Sequence, residues 1–294
     1  MKIAVIGAGQ MGNGIAHVFA QHHHNVVLID LSEDRLEKAV STITKNLDRQ
    51  LAKGRITEEV RQHTLQNITT NTNLKQSVAD RELVIEAATE HVTLKEKIFK
   101  ELDQYAPDNC ILATNTSSIS ITKIAAVTSR PQQVIGMHFM NPVPVMKLVE
   151  VINGYNTSAT VTKEVMDLSK SIGKTPVEVN DFPGFVANRI LMPMINEAIE
   201  TLYNGVAGVY EIDTVMKLGM AHPMGPLHLA DFIGLDTCLS ILEVLYKGFN
   251  NPKYAACPLL TNMVMAGKLG VKSGEGFYIH TPGSKEISVS PRFA

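Results

Sequence analysis

The fold is decided by the stretch Lys2-Ile3-Ala4-Val5-Ile6-Gly7-Ala8-Gly9-Gln10-Met11-Gly12, in which an apolar run meets three glycines. The apolar run predicts a buried strand, and the residues after the third glycine keep apolar side chains on one helical face. The first glycine permits a tight turn between strand and helix. The second lets a ligand approach the backbone, and the third lets the helix pack closely on the strand.

A second apolar strand, at 26–30, ends in Asp30 at the distance from the glycines that a complete dinucleotide-binding fingerprint requires. The N-terminus of the first helix offers N–H groups and a positive dipole end to phosphates. We expect Asp30 to accept hydrogen bonds from the adenosine ribose, and because its carboxylate would repel a 2′-phosphate, NAD is favoured over NADP. The alternatives are an ordinary glycine turn before a strand-end aspartate and, on the fingerprint alone, FAD.

The first 183 residues alternate apolar strands with amphipathic helices. Such alternation predicts a Rossmann-type α/β fold with a doubly wound, mostly parallel sheet. One long helix is marked at both ends, because Ser32 is a preferred N-cap residue and Gly54 a preferred stop. The remaining expected strands are 83–88, 111–115, 134–140, 145–152 and 175–180, and the expected helices after the first are 33–53, 92–106 and 158–172.

After Asp181-Phe182-Pro183-Gly184 the pattern is helical throughout. We therefore expect an NAD-binding domain at 1–183 and an all-helical C-terminal domain at 184–294, the second for substrate binding and dimerisation. The last dozen residues are polar and are expected to form a loose tail.

The composition limits the function classes. A net charge of −2 argues against a basic field for nucleic acid. The cysteines, Cys110, Cys238 and Cys257, are odd in number and scattered, which fits apolar filling in a reducing cytoplasm better than a disulfide framework. No apolar run is long enough to span a membrane or to act as a signal peptide. We expect a cytoplasmic protein without a nucleic-acid or membrane partner, and His22-His23-His24 is expected to be a helix end, with no metal site.

His138 lies in the apolar stretch 134–140, where a core histidine is the more ordinary interpretation. Glu150 changes that weighting, because the two residues are symmetric about Pro144. If the two strands run back on each other, the side chains can face one another across the pair. Glu150 could then hold the imidazole tautomer and stabilise an imidazolium. A buried structural ion pair is the alternative.

Two polar segments are expected to converge near the same edge. Residues 114–118 follow a strand at the carboxyl end where open α/β sheets bind ligands, and 182–189 open the helical domain. The side chains of Ser117 and Asn188 could bind a substrate oxygen without competing for its proton. Each could equally cap a helix.

Together these motifs resemble those of the 3-hydroxyacyl-CoA dehydrogenase family, and in particular its stand-alone bacterial members. The resemblance covers roughly residues 2–280. Its segments are the glycine stretch quoted above, Asn115-Thr116-Ser117-Ser118, Gly136-Met137-His138-Phe139-Met140-Asn141-Pro142, Asp181-Phe182-Pro183-Gly184-Phe185-Val186-Ala187-Asn188-Arg189 and Gly274-Glu275-Gly276-Phe277-Tyr278.

The resemblance implies NAD-dependent interconversion of (S)-3-hydroxybutyryl-CoA, or another short 3-hydroxyacyl-CoA, and its 3-oxo partner. It implies that His138 is the catalytic base paired with Glu150, that Ser117 and Asn188 orient the substrate, and that the chain forms a homodimer. No metal is expected. The expected cofactor contacts are Gly7, Gly9, Gln10, Met11, Gly12, Asp30, Glu90, Lys95, Asn115, Ser117, Asn141 and Lys272.

An acyl-CoA also needs cations for its phosphates. Lys45, Arg49 and Lys53 are four residues apart and predict one basic stripe on the long helix, although an ordinary solvated face fits the pattern equally. The resemblance makes Lys53 a CoA contact, whereas Asn46 stands where some relatives have a serine that touches CoA. Two other hypotheses stay open: a related dehydrogenase of a small sugar acid or hydroxy acid, and a non-catalytic nucleotide-binding protein.

Overall fold

The chain folds into two units, Met1–Phe182 and Pro183–Ala294. The computed structural model describes residues 1–284 and 286–294. The division lies next to the boundary that the sequence analysis put after residue 183.

The first unit is built on an eight-stranded sheet. Its strands are β1 Lys2–Ile6, β2 Asn25–Ile29, β3 Ile68–Asn71, β4 Leu83–Glu86, β5 Ile111–Thr114, β6 Val134–Phe139, β7 Leu148–Asn153 and β8 Thr175–Asn180. They lie in the order β3-β2-β1-β4-β5-β6-β7-β8, and every neighbouring pair is parallel except β6 and β7. The predicted Rossmann-type, mostly parallel sheet is confirmed. The edge strand β3 escaped prediction because Ile-Thr-Thr-Asn carries a single apolar residue.

Seven helices of this unit connect the strands: α1 Gln10–Gln21, α2 Glu33–Ala52, α3 Glu58–Gln66, α4 Leu74–Val78, α5 Val92–Tyr105, α6 Ile121–Ala125 and α7 Ala159–Ser171. Ile15 and Phe19 of α1 share one buried core with Ile3 and Val5 of β1. Helix α2 ends at Ala52, just before the predicted stop at Gly54, whose φ of +63° favours glycine because it has no Cβ. Ser32 occupies the expected N-cap position, but its side chain makes no capping hydrogen bond.

The second unit is helical, as predicted, apart from two paired strands near its C-terminal end that the sequence analysis did not expect. Its helices are α8 Ala187–Tyr203, α9 Val209–Gly219, α10 Pro226–Ile233, α11 Leu235–Phe249 and α12 Pro258–Met265, and a small antiparallel hairpin follows, with β9 Tyr278–His280 and β10 Ile287–Val289. The predicted loose tail is wrong. The backbone N–H of Ser290 donates to the Phe277 carbonyl at 2.9 Å, and the Phe293 ring lies 5.7 Å from the Phe277 ring. The tail is thus held in place by a backbone hydrogen bond and by the packing of Phe293, an apolar residue among polar ones, against Phe277.

Two buried carboxylates hold the second unit together. Asp213 accepts two backbone N–H groups at the start of α10 and the hydroxyl of Tyr278 at 2.8 Å. Asp231 accepts the backbone N–H groups of Phe277 and Tyr278 and lies 2.9 Å from Nε2 of His280. Buried carboxylates are stable only when their oxygens are paired in this way.

The thiols lie in the cores. Cys110, Cys238 and Cys257 are all buried. Burial raises the pKa of Cys110 and of Cys238 to about 12, so both stay protonated and serve as apolar side chains. Over the described residues, no helix is both long and apolar enough to cross a membrane. The same residues contain no group of three or more histidine, cysteine or acidic side chains placed to hold a metal.

His17 is a polar residue buried within the first unit. Its Nε2 lies 3.3 Å from Nε2 of Gln50, and its Nδ1 has no hydrogen-bond partner among the described residues. Burial lowers the pKa of His17 to about 4, and the charges of Lys174 and His22 act in the same direction. The ring is therefore neutral in the folded protein at pH values where an exposed histidine becomes charged.

We predict that this neutral ring makes the protein sensitive to mild acid. In the unfolded chain His17 binds a proton below about pH 6.5, whereas in the folded chain it binds one only below about pH 4. The free energy of unfolding therefore decreases as the pH falls from about 6.5 to about 4. Between pH 7 and pH 5 the loss is about 2 kcal/mol. Urea unfolding of wild type, His17→Gln and the exposed control His23→Gln measures it. The His17→Gln variant should lack this loss, and an identical pH dependence in all three proteins would contradict the account.

Candidate active site

The glycine stretch forms a cradle at the carboxyl end of β1. Gly7 has a φ of +98°, and a Cβ at Gly12 would lie 1.7 Å from the Gly7 carbonyl oxygen, so neither position admits a side chain. Around Gly9, by contrast, no atom of the described residues other than Gly9 and its two chain neighbours lies within 4 Å of the Cβ position. As at any helix N-terminus, the first N–H groups of α1 have no acceptor within the helix. These residues therefore fit a pyrophosphate.

Asp30 follows β2 beside the cradle. Its Oδ2 accepts the backbone N–H of Ala8 at 2.8 Å, and the guanidinium of Arg35 lies 3.8 Å from its Oδ1. The carboxylate borders a cavity of about 340 Å³ whose walls include Leu74 and Ile98. An apolar cavity with a carboxylate at its edge fits an adenosine, with the base between the apolar side chains and the ribose hydroxyls at Asp30.

A charged network that the sequence analysis missed lies at this edge of the sheet, at the carboxyl ends of β4 and β5. Lys95, which is 1% exposed, donates from Nζ to both carboxylate oxygens of Glu86, at 2.7 and 2.9 Å. Glu86 also accepts the backbone N–H of Ala88 and the hydroxyl of Thr114, both at 2.7 Å. The signal was present: an acidic residue ends the apolar strand β4, and a lysine lies on the buried face of α5. The network joins the carboxyl ends of β4 and β5 to that helix.

Glu90 binds the loop that follows β5. One of its oxygens, Oε1, accepts the backbone N–H groups of Ser117 and Ser118 at 3.1 and 3.2 Å, and the hydroxyl of Thr116. Its other oxygen lies 3.4 Å from Nζ of Lys95. Glu90 and Lys95, which were predicted as cofactor contacts, thus make hydrogen bonds and an ion pair within the protein itself. The interpretation of Ser117 as a helix cap is wrong, because the cap of α6 is Ser120.

Two amide contacts tie the neighbouring segments of the edge together. Oδ1 of Asn115 accepts the backbone N–H of Phe139 at 2.9 Å, which links the end of β5 to the end of β6. The Gln10 amide donates to Oδ1 of Asn141 at 3.1 Å, which links the glycine stretch to the segment after β6. Residues separated by more than a hundred positions in the chain therefore meet at one edge.

His138 and Glu150 face each other across β6 and β7, as predicted. They are a registered pair of the antiparallel strands, and His138 Nδ1 lies 2.7 Å from Glu150 Oε2. Both are buried, at 8% and 2% exposure. Because the carboxylate accepts the Nδ1 proton, the neutral imidazole carries its lone pair on Nε2. This is the arrangement of a base with an orienting carboxylate.

Each of the remaining predicted residues has a defined position within its own unit. Asn188 is buried in the first turn of α8, where the N-cap is Val186, so the alternative that Asn188 caps this helix is wrong. Lys272 donates to Oδ1 of Asp236 at 2.6 Å within the second unit. Lys53 is exposed at the C-cap of α2. The contacts predicted for Asn188, Lys272 and Lys53 with cofactor or substrate stay predictions.

We predict that Asp30→Ala relaxes the discrimination between the two nicotinamide dinucleotides. Removing the carboxylate abolishes its repulsion of a 2′-phosphate and leaves the Arg35 guanidinium beside the vacated position. The ratio of the NADPH to the NADH dissociation constant, measured by fluorescence titration, should fall about tenfold or more. The control Asp34→Ala removes an exposed acidic residue of α2 and should leave the ratio unchanged. An unchanged ratio in Asp30→Ala would count against the ribose contact.

Comparison with known proteins identifies both units. The NAD-binding domain of 3-hydroxyacyl-CoA dehydrogenase matches residues 2–182, and the C-terminal domain of 3-hydroxyacyl-CoA dehydrogenase matches residues 184–280. A probable 3-hydroxybutyryl-CoA dehydrogenase from Bacillus subtilis is 55% identical over 94% of this chain and 96% of its own length. A 3-hydroxybutyryl-CoA dehydrogenase from Bradyrhizobium diazoefficiens is 53% identical over 94% of both chains.

A solved structure agrees with these matches. The crystal structure of (S)-3-hydroxybutyryl-CoA dehydrogenase from Ralstonia eutropha has a TM-score of 0.92 and 51% identity, covering 95% of this chain and 99% of that one. Fold, cradle and sequence identity lead to the same conclusion. The chain belongs to the 3-hydroxyacyl-CoA dehydrogenase family and is an NAD-dependent dehydrogenase.

Proposed function

We propose that this enzyme interconverts (S)-3-hydroxybutyryl-CoA, or another short 3-hydroxyacyl-CoA, and the corresponding 3-oxoacyl-CoA, with His138 as general acid and base and Glu150 as its orienting carboxylate. The observation that carries the proposal is the 2.7 Å hydrogen bond between these two side chains at the ligand-binding edge of the sheet. The names of the three relatives described above support the choice of a four-carbon substrate, acetoacetyl-CoA in the direction of reduction.

The residues give each direction of the reaction a proton path. In oxidation, neutral His138 removes the proton of the 3-hydroxyl at Nε2, and Glu150 stabilises the resulting imidazolium. In reduction, the imidazolium returns this proton to the oxygen as negative charge develops there. NAD supplies the hydride acceptor or donor for C3. General acid–base help of this kind is typically worth about 10²–10⁴-fold in rate.

The polar residues of the proposed site have separate roles. Ser117 and Asn188 would donate hydrogen bonds to the substrate oxygen, which fixes its orientation toward His138. Glu90 and Lys95 would support the cofactor side by holding the loop after β5, and Asn115, Asn141 and Lys272 would contact the cofactor. The backbone N–H of Ser117, bound to Glu90 at 3.1 Å, supports a fixed position for that loop.

The binding site for the CoA part of the substrate and the homodimer are also proposals. The exposed side chains of Lys45, Arg49 and Lys53 along α2 suit the phosphates of CoA. The helical unit would bind the acyl chain and form a homodimer, which is supported by its exposed large apolar residues. Those with the greatest exposure are Ile190, Val206, Tyr210, Leu218 and Met265. A cytoplasmic location, which the buried reduced thiols support, stays a prediction.

A substrate panel tests the activity. NADH oxidation should be fast with acetoacetyl-CoA and should slow as the 3-oxoacyl chain lengthens, while free 3-oxo acids without CoA should react at least about a hundredfold less efficiently by kcat/KM. Removing CoA removes binding energy that is remote from the reacting carbon, so this comparison measures the contribution of CoA to kcat/KM. Preference for a free hydroxy acid or sugar acid would establish the alternative dehydrogenase, and tight NADH binding without turnover of any substrate would establish a non-catalytic protein.

The assigned base is tested by substitution. His138→Gln should lower kcat for acetoacetyl-CoA reduction by about 10²–10⁴-fold and leave the NADH dissociation constant within about twofold of wild type. Glu150→Gln, which keeps the shape but removes the charge that stabilises the imidazolium, should lower kcat by a smaller factor. The control His23→Gln changes an exposed histidine and should be neutral. Wild-type turnover in His138→Gln refutes the assignment.

A further inference from the structure

The segment 141–147, termed here the hairpin loop, connects the strand that carries His138 to the strand that carries Glu150. It folds on itself, because the carbonyl of Pro142 accepts the backbone N–H groups of Val145 and Met146 at 2.9 and 3.0 Å. Any displacement of this loop shifts the strand ends that hold the proposed base and its carboxylate. What fixes the loop therefore bears on the reaction.

Helix α1 holds the hairpin loop on one side. A Cβ at Gly14 would lie 2.9 Å from Cβ of Val143, a buried, branched side chain that cannot move away cheaply. Gln10 of the same helix donates to Asn141 at 3.1 Å. The loop is thus seated directly on the helix whose N-terminus forms the dinucleotide cradle.

Lys174 holds the loop on the other side. It lies between α7 and β8, and its Nζ donates to the backbone carbonyls of Val143 and of Met146, the latter at 2.7 Å. The next residue continues the attachment, because the backbone N–H of Thr175 donates to the Lys147 carbonyl at 2.8 Å. One ammonium therefore bridges two carbonyls within the hairpin loop.

Lys174 makes these contacts as a half-buried cation without a carboxylate partner among the described residues. Desolvation lowers its pKa, and the nearby His17 ring is neutral. A cation in such a place is stabilised by charge-assisted hydrogen bonds to the carbonyl dipoles of the loop. Losing the cation would leave both carbonyls without that donor.

We propose that Lys174 is a positioning residue of this dehydrogenase. Its ammonium clamps the hairpin loop against α1 and so keeps Asn141 at the dinucleotide cradle and the strand ends of His138 and Glu150 in place. This rests on the proposed roles of Asn141 and His138. Residues that touch neither substrate nor cofactor can set an active-site geometry by fixing a loop in this manner.

The test uses three variants of the full-length protein. Lys174→Met removes the ammonium and keeps a long apolar side chain. Gly14→Ala pushes the loop from the opposite side. Lys170→Met is the matched control, since Lys170 is an exposed lysine at the end of α7 that, among the described residues, forms an ion pair with Asp167 alone. Hydrogen–deuterium exchange of 141–147, the NADH dissociation constant, kcat with acetoacetyl-CoA and the melting temperature are measured for each.

We expect Lys174→Met and Gly14→Ala to speed exchange in 141–147 about fivefold or more, to weaken NADH binding several-fold and to lower kcat about tenfold. The control should match wild type in all four. Unchanged exchange and NADH affinity in a folded Lys174→Met protein would overturn the proposal. So would a lower melting temperature with faster exchange throughout the first unit and unaltered NADH affinity, because that is the result of general destabilisation.

Two further outcomes are distinguishable. If Lys174→Met does not fold, Gly14→Ala decides by the same exchange and affinity criteria. If His138→Gln keeps its turnover while Lys174→Met loosens the loop and weakens NADH binding, the assigned base is wrong and the clamp on the loop stands.

Discussion

The hydrogen bond between Nδ1 of His138 and Oε2 of Glu150 is the interaction on which the proposed chemistry depends. It is short because β6 and β7 pair in a register that sets the two residues directly opposite each other. This is also the one antiparallel pair in an otherwise parallel sheet. A hairpin, unlike a crossover connection, lets two residues close in sequence face each other at the ligand-binding edge.

The surrounding structure acts mainly to keep that edge rigid. The network of Glu86, Lys95 and Glu90 joins β4, α5 and the loop after β5. The buried charges of Glu86 and Lys95 are stable in the interior because their oxygens and protons are paired. The hydrogen bond from the Phe139 backbone N–H to Asn115 connects the end of β5 with the strand that carries the proposed base. The dinucleotide cradle, the loop after β5 and the hairpin of β6 and β7 are thus parts of one hydrogen-bonded surface.

Much of this was predictable from sequence because the strongest signals are local. The glycine spacing with Asp30 predicted the cradle, and the symmetry of His138 and Glu150 about Pro144 predicted their pairing. The buried salt bridge between Glu86 and Lys95 was missed, since periodicity does not say which charged residue on an apolar face finds a partner. The C-terminal tail was judged by its polar composition, while its order depends on ring packing onto residues next to β9. Contacts of that kind come from tertiary structure alone.

The most direct test of the central claim is ¹⁵N NMR of the protein labelled in its histidine rings, with the His138 signals assigned by their loss in His138→Gln. For the neutral ring, we predict a protonated Nδ1 that is hydrogen-bonded to Glu150 and an unprotonated Nε2 that can accept the proton of the substrate hydroxyl. A neutral His138 with its proton on Nε2 would contradict the account, because that ring could not accept a proton there.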